Sequence, residues 1–120
     1  MDRSMLEFTA HQEYLEVRYF GPLDENTLVG LVDVIKQELI KIAQHKILID
    51  MTGAIGEIAT PTRFKIGFSL AASFGAEFRL GVLDDKERTN MIGKNVAAAR
   101  GVNIFLGFEK SLVIKWLLQN

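Results

Sequence analysis

The chain reads as an α/β protein: a mainly parallel sheet of four to five strands, an N-terminal antiparallel hairpin and about four helices. Three observations predict this. The run KILID, residues 46–50, is an unbroken stretch of apolar β-formers ending in a carboxylate, the pattern of a central strand covered on both faces. Upstream, Tyr14, Glu16, Arg18 and Phe20 alternate with Leu15, Val17 and Tyr19, as in a strand with one buried face. Stretches with apolar residues at helical spacing separate the successive strand signals, as right-handed crossovers between parallel strands require.

Taken in order, LEFTAHQEYLEVRYFG supplies two short strands, stopped at Gly21-Pro22. A helix begins near LDENTL, where Asp24 or Asn26 can accept an orphan backbone N–H, and Leu28, Leu31, Val32, Ile35, Leu39 and Ile42 form its apolar stripe. KILID and a glycine-bearing loop over 53–59 follow. Thr60-Pro61 then starts a helix, with Thr60 as its cap and Pro61 at its first position, running to about Gly75. AEFRLGVL reads as a strand, and DDKERTNMIGKNVAAARG as a helix capped by Asp84 or Asp85 and closed by Gly101. VNIFL is a last strand, and FEKSLVIKWLL a last helix with Leu112, Val113, Trp116 and Leu117 on one side. Repeats, linkers and low-complexity tracts are absent, so residues 1–120 are expected to form a single domain.

Composition narrows the function. A formal net charge of -1, with no concentration of Lys and Arg, argues against a nucleic-acid partner, which needs a basic face. The chain has no cysteine, which rules out disulfides, thiolate nucleophiles and thiolate metal sites and suits a reducing compartment; a cytoplasmic location is expected. The longest apolar segment, interrupted by Ser69 and Ser73, is too short to span a bilayer.

Motifs for chemistry are mostly lacking. The turn DMTGAIGEIATP holds only Gly53 and Gly56 and lacks the dinucleotide fingerprint. A phosphate loop ending at Gly93-Lys94 would need glycine where Arg88 stands and a hydroxyl where Asn95 stands. GFSLA resembles a nucleophile elbow, but Ser69 lies in a helix and not on a strand-to-helix turn. His11 and His45 read as surface residues, His11 with a loose Glu13 neighbour, and no metal or cofactor is implied. Asp50 ends a central parallel strand at the edge where α/β sheets place ligands, so it either serves a site there or braces the loop through backbone hydrogen bonds. Trp116 follows core spacing.

The run ILIDMTG, a loop, then TPTRFKIG resembles the strand-loop-helix of STAS domains, the sulfate-transporter and anti-sigma-factor-antagonist fold. NVAAARGVNIFLGFEKSLVIKWLL is similar to the C-terminal end of SpoIIAA-like (STAS/SEC14-type) bacterial proteins, with Arg100, Gly101, Ile104, Phe105, Trp116 and Leu117 carrying the likeness. The resemblance implies a non-enzymatic, regulatory protein-binding module docking through loop 52–60 and the following helix. It also implies an alternative, carriage of a small apolar ligand or lipid in the SEC14-like manner. STAS antagonists carry an Asp-Ser-Ser-Gly type motif whose Ser or Thr is phosphorylated. Here Ile58-Ala59-Thr60-Pro61 stands in its place, leaving Thr60, and more weakly Thr62, as candidate phosphosites.

The helix after Thr60 is apolar around most of its circumference. Phe64, Phe68, Ala71 and Ala72 form one stripe, Ile66, Leu70 and Phe74 a second, and Thr62, Lys65, Ser69 and Ser73 a narrow polar face. One stripe covers the sheet; the other meets a neighbouring helix, a partner such as a second copy in a homodimer, or a ligand. The candidate partner or ligand surface is therefore Asp50, Thr52, Gly53, Glu57, Ile66, Leu70 and Phe74.

Overall fold

The computed structural model of the chain describes residues 5–87 and 90–119, so Arg88, which decided against a phosphate loop, lies outside the described residues. The opening hairpin pairs β1 (Leu6–Ala10) antiparallel with β2 (Leu15–Pro22), Leu6 opposite Tyr19 and Ala10 opposite Leu15. In parallel, β2 pairs with β3 (Lys46–Ile55), β3 with β4 (Arg79–Leu83) and β4 with β5 (Asn103–Gly107), giving a five-stranded sheet in the order β1-β2-β3-β4-β5. KILID is central, as its apolar run predicts. Gly21-Pro22 does not stop β2, which pairs on to Pro22 opposite Ile55. The β1 pairing has already ended at Tyr19, so Pro22 sits where β2 has a neighbour on one side only, a place a sheet tolerates proline.

The period-2 pattern of β3 divides the core. Ile47, Ile49 and Met51 join Leu15, Val17 and Tyr19 of β2 in the larger cluster, under α1 (Glu25–Lys41), α2 (Thr60–Ser73) and α3 (Ile92–Ala99). Leu48 points the other way, into a smaller cluster with Val113 and Leu117 of α4 (Lys110–Leu117). Apolar side chains are thus needed at every position of 47–49, which is why the run is continuous.

Helix α1 starts as its sequence suggests: Asp24 accepts the Thr27 N–H at 2.9 Å, and Leu28, Leu31, Val32, Ile35 and Leu39 are buried. Ile42, expected on that stripe, follows the last helical turn and is exposed. The helix expected from Asp84 begins only at Ile92, with neither Asp84 nor Asp85 as its cap. Their carboxylates instead accept the N–H groups of Asp85 at 2.7 Å and Glu87 at 3.1 Å, which favours turns over helix, and Asn90 accepts the Ile92 N–H at 3.0 Å at the true start. Gly101, at φ +93°, closes α3. In α4, Leu112 is exposed and not on the inner side; Trp116 stacks on Phe105 with centroids 5.4 Å apart, beneath the Arg79 guanidinium.

Candidate functional site

The C-terminal edge of the parallel strands is where β3 hands the chain to α2. β3 does not end at Asp50: Gly53, Ala54 and Ile55 continue its pairing with Phe20, Gly21 and Pro22, past an irregularity between Arg18 and Phe20. Thr52 and Gly53 are therefore strand residues, and the connection shrinks from the expected 53–59 to 56–59. Gly53 is required by close approach, since a Cβ there would stand 2.7 Å from the Tyr19 carbonyl oxygen and 2.8 Å from the Phe20 ring. Asp50, buried, accepts the Thr52 N–H at 2.9 Å and the Thr52 hydroxyl at 2.6 Å, with Arg18 Nε 3.5 Å away on its other oxygen. Of the two roles open to Asp50, the contacts made are those of bracing.

Thr60 does not cap α2. The first helical carbonyl is that of Ala59, which accepts the Arg63 N–H at 3.1 Å, so Ala59 is the cap and makes no side-chain bond. Thr60 is already inside the helix and Pro61 follows it; a threonine one residue into the helix no longer faces the orphan N–H groups. Thr60 and Glu57 are exposed, whereas Thr62 is buried and donates to Glu25 Oε1 at 3.1 Å. Lys65 donates to the other Glu25 oxygen at 3.1 Å, and Lys65, then Thr62, hold the Glu25 carboxyl below the usual carboxylate range. Arg63, buried, donates from Nε to the Ile58 carbonyl at 3.1 Å and anchors the connection to the helix.

These contacts fix the rotation of α2 about its axis. Thr62 reaches α1 through Glu25, and the Ser73 carbonyl accepts from Lys36 of α1. On the opposite flank Gly67 lies against Gly93 and Val96 of α3. The sheet-facing direction falls between the flanks, on Ile66, Leu70 and Phe74, all in the larger core cluster. The expectation that Leu70 and Phe74 form a partner surface is thereby corrected: the outward stripe is the other one, with Phe64 43% and Phe68 46% exposed and the Arg100 guanidinium 4.3 Å from the Phe68 ring centroid. Gly67, the one glycine in a helix otherwise well supplied with side chains, was the available sequence signal.

A second polar cluster escaped the sequence reading. Glu16, 6% exposed, has His11 Nε2 2.9 Å from one carboxylate oxygen and Lys110 Nζ 3.0 Å from the other. Burial works to raise its pKa, but the His11 and Lys110 contacts outweigh burial and the carboxyl lies below its ordinary value. His11 is thus paired with Glu16 and not with Glu13. Among the described residues no group of three or more His, Asp or Glu side chains could hold a metal ion, and no helix is long and apolar enough to cross a membrane.

A hairpin followed by three parallel strands, three helices on one face and one on the other, is a SpoIIAA-like fold. Solved structures of other proteins share it. An anti-sigma factor antagonist from Mycobacterium paratuberculosis superposes with a TM-score of 0.68 at 12% identity, over 95% of this chain and 93% of its own. An uncharacterized protein with a SpoIIAA-like fold from Shewanella loihica does so with a TM-score of 0.56 at 18% identity, over 93% and 91% of the two chains. No family model matches the sequence, and no curated protein does.

Proposed function

We propose that the protein is a non-enzymatic, regulatory binding module that docks onto a protein partner through the connection 56–59 and the outer face of α2. The observation that carries this is the aromatic pair Phe64 and Phe68, one helical turn apart and left in water on a helix whose other sides are packed. Aromatic anchors with a neighbouring arginine, here Arg100, are the side chains that contribute most at protein interfaces. Similarity in fold to an anti-sigma factor antagonist supports a regulatory role. Thr60, exposed at the start of the same helix, is the better placed of the two candidate phosphosites, since Thr62 is buried against Glu25.

Affinity capture from the source cells tests the proposal with three baits: the parent, a Phe64→Ser/Phe68→Ser variant, and Leu112→Ser on α4. A partner held by the parent and by Leu112→Ser, but lost by the α2 variant at unchanged melting temperature, supports it. A partner held equally by all three baits counts against it, as does the absence of any. Sedimentation of the parent and the α2 variant decides whether a second copy of the chain is that partner.

A further inference from the structure

At the side of the sheet away from the hairpin, β5 has β4 as its one neighbouring strand among the described residues. The Asp84 N–H donates to the Gly107 carbonyl at 3.1 Å, so Gly107 turns its backbone groups toward β4, and by alternation Phe105 and Asn103 do the same. Ile104 and Leu106 therefore turn their N–H and C=O groups to the open edge. Sheets usually blunt such an edge with charge, proline or a bulge. The strand NIFLG has none of these: it pairs with β4 in unbroken register, and its central side chains, Ile104, Phe105 and Leu106, are apolar and half-buried. Charge stands at its two ends, on Arg100 before the strand and Glu109 after it, both exposed, while the adjacent Lys110 is bound to Glu16.

We infer that the β5 edge is an interface for a second copy of this chain, the two strands pairing antiparallel about a two-fold axis at Phe105. In that register Ile104 stands opposite Leu106 of the second copy and Leu106 opposite its Ile104, so each outward N–H finds a carbonyl of the other strand. Phe105 meets Phe105 of the second copy as the closer, non-hydrogen-bonded pair, and its ring is already backed by the stacked Trp116. Charge selects the occupant and its direction. An antiparallel mate sets the Glu109 end of each strand beside the Arg100 end of the other, at both ends of the interface, whereas a parallel mate sets like charge on like. The two-fold arrangement uses up both β5 edges, so association through them stops at two copies. Pairing of two five-residue strands stands at the small end of specific interfaces, which points to association in the micromolar range. It uses neither Phe64 nor Phe68 and is independent of the docking proposed above.

Sedimentation equilibrium of the full chain up to about 500 µM tests the inference. The parent is expected to show a reversible dimer. Leu106→Pro removes an outward N–H and no bond to β4, a change that edge strands tolerate, and is expected to weaken the dimer about thirtyfold or more. Glu109→Arg and Arg100→Glu are each expected to weaken it about tenfold, because two symmetric attractions become repulsions, and the two changes together to restore the parent's affinity. A parent that stays monomeric at about 500 µM overturns the inference, as does a dimer that Leu106→Pro leaves intact. A dimer lost in Phe64→Ser/Phe68→Ser overturns it too, since the second copy then sits on α2. Failure of the paired charge reversal to restore affinity overturns the antiparallel register. The charge reversals lie outside the strand and decide the matter if Leu106→Pro does not fold.

Discussion

Gly67 and Val96 meet with no room between them: a Cβ on Gly67 would lie 2.7 Å from the Val96 Cβ and 2.8 Å from the Gly93 carbonyl oxygen. Gly67→Ala should therefore destabilise the protein although alanine is the better helix former. Overpacking costs about 1–3 kcal/mol against a propensity gain of about 1 kcal/mol, so a net loss of about 1 kcal/mol is expected. Urea denaturation of Gly67→Ala, of Val96→Ala and of the double variant checks the cause, since Val96→Ala removes the Cγ contact but leaves the Val96 Cβ and the Gly93 carbonyl oxygen in place, so that most of the Gly67→Ala loss should persist in the double variant.

The two stripes of α2 should respond oppositely. Phe74, 2% exposed and set edge-on to Phe78 at 5.2 Å, is a core residue whose change to Ala should cost about 3–5 kcal/mol. Phe64→Ala should cost about 1 kcal/mol or less, because much of the ring is already in water. Similar losses at both positions, measured by chemical denaturation, would contradict the rotation of α2 described above.

Thr60→Ala should change stability by only a few tenths of a kcal/mol, since the Thr60 hydroxyl caps nothing. Thr62→Val should cost on the order of 1 kcal/mol, because it removes a donor to Glu25 from a buried position. The thermal midpoints of the two variants should fall in that order, the reverse of what a Thr60 cap predicts.

Glu16 should make stability depend on pH on the acid side. Its folded carboxyl titrates below its ordinary value, so its contribution is present above the unfolded pKa of about 4.3 and is lost as pH falls through the folded value. Glu16→Gln is expected to lose on the order of 1 kcal/mol near neutral pH. The gap to the parent should close as pH drops below the usual carboxylate range. Denaturation at a series of pH values checks it; a gap that stays constant would mean that the charge of Glu16 plays no part.

Much of this fold was legible along the chain because its signals are local. The period of two over 14–20, the double-sided apolar run 47–49 and the stripe from Leu28 to Leu39 each report a face through spacing alone, and each lies where its spacing puts it. Turn chemistry was less legible. Asp84 and Asp85 have the composition of helix caps but use their carboxylates on turn N–H groups, and only the backbone path decides between these uses.

What the sequence by itself determined, then, is the order of elements, the central place of β3 and the two-sided core, all consequences of periodicities fixed by backbone geometry. Tertiary structure alone decided which stripe of α2 faces the sheet, since either is apolar enough and the choice rests on Thr62 meeting Glu25 on one flank and Gly67 admitting α3 on the other. It also decided that Glu16 is held by Lys110, 94 residues away, and that Asp50 turns to Thr52. The rotation of a helix and the partner of a carboxylate depend on atoms distant in the chain, and no local pattern encodes them.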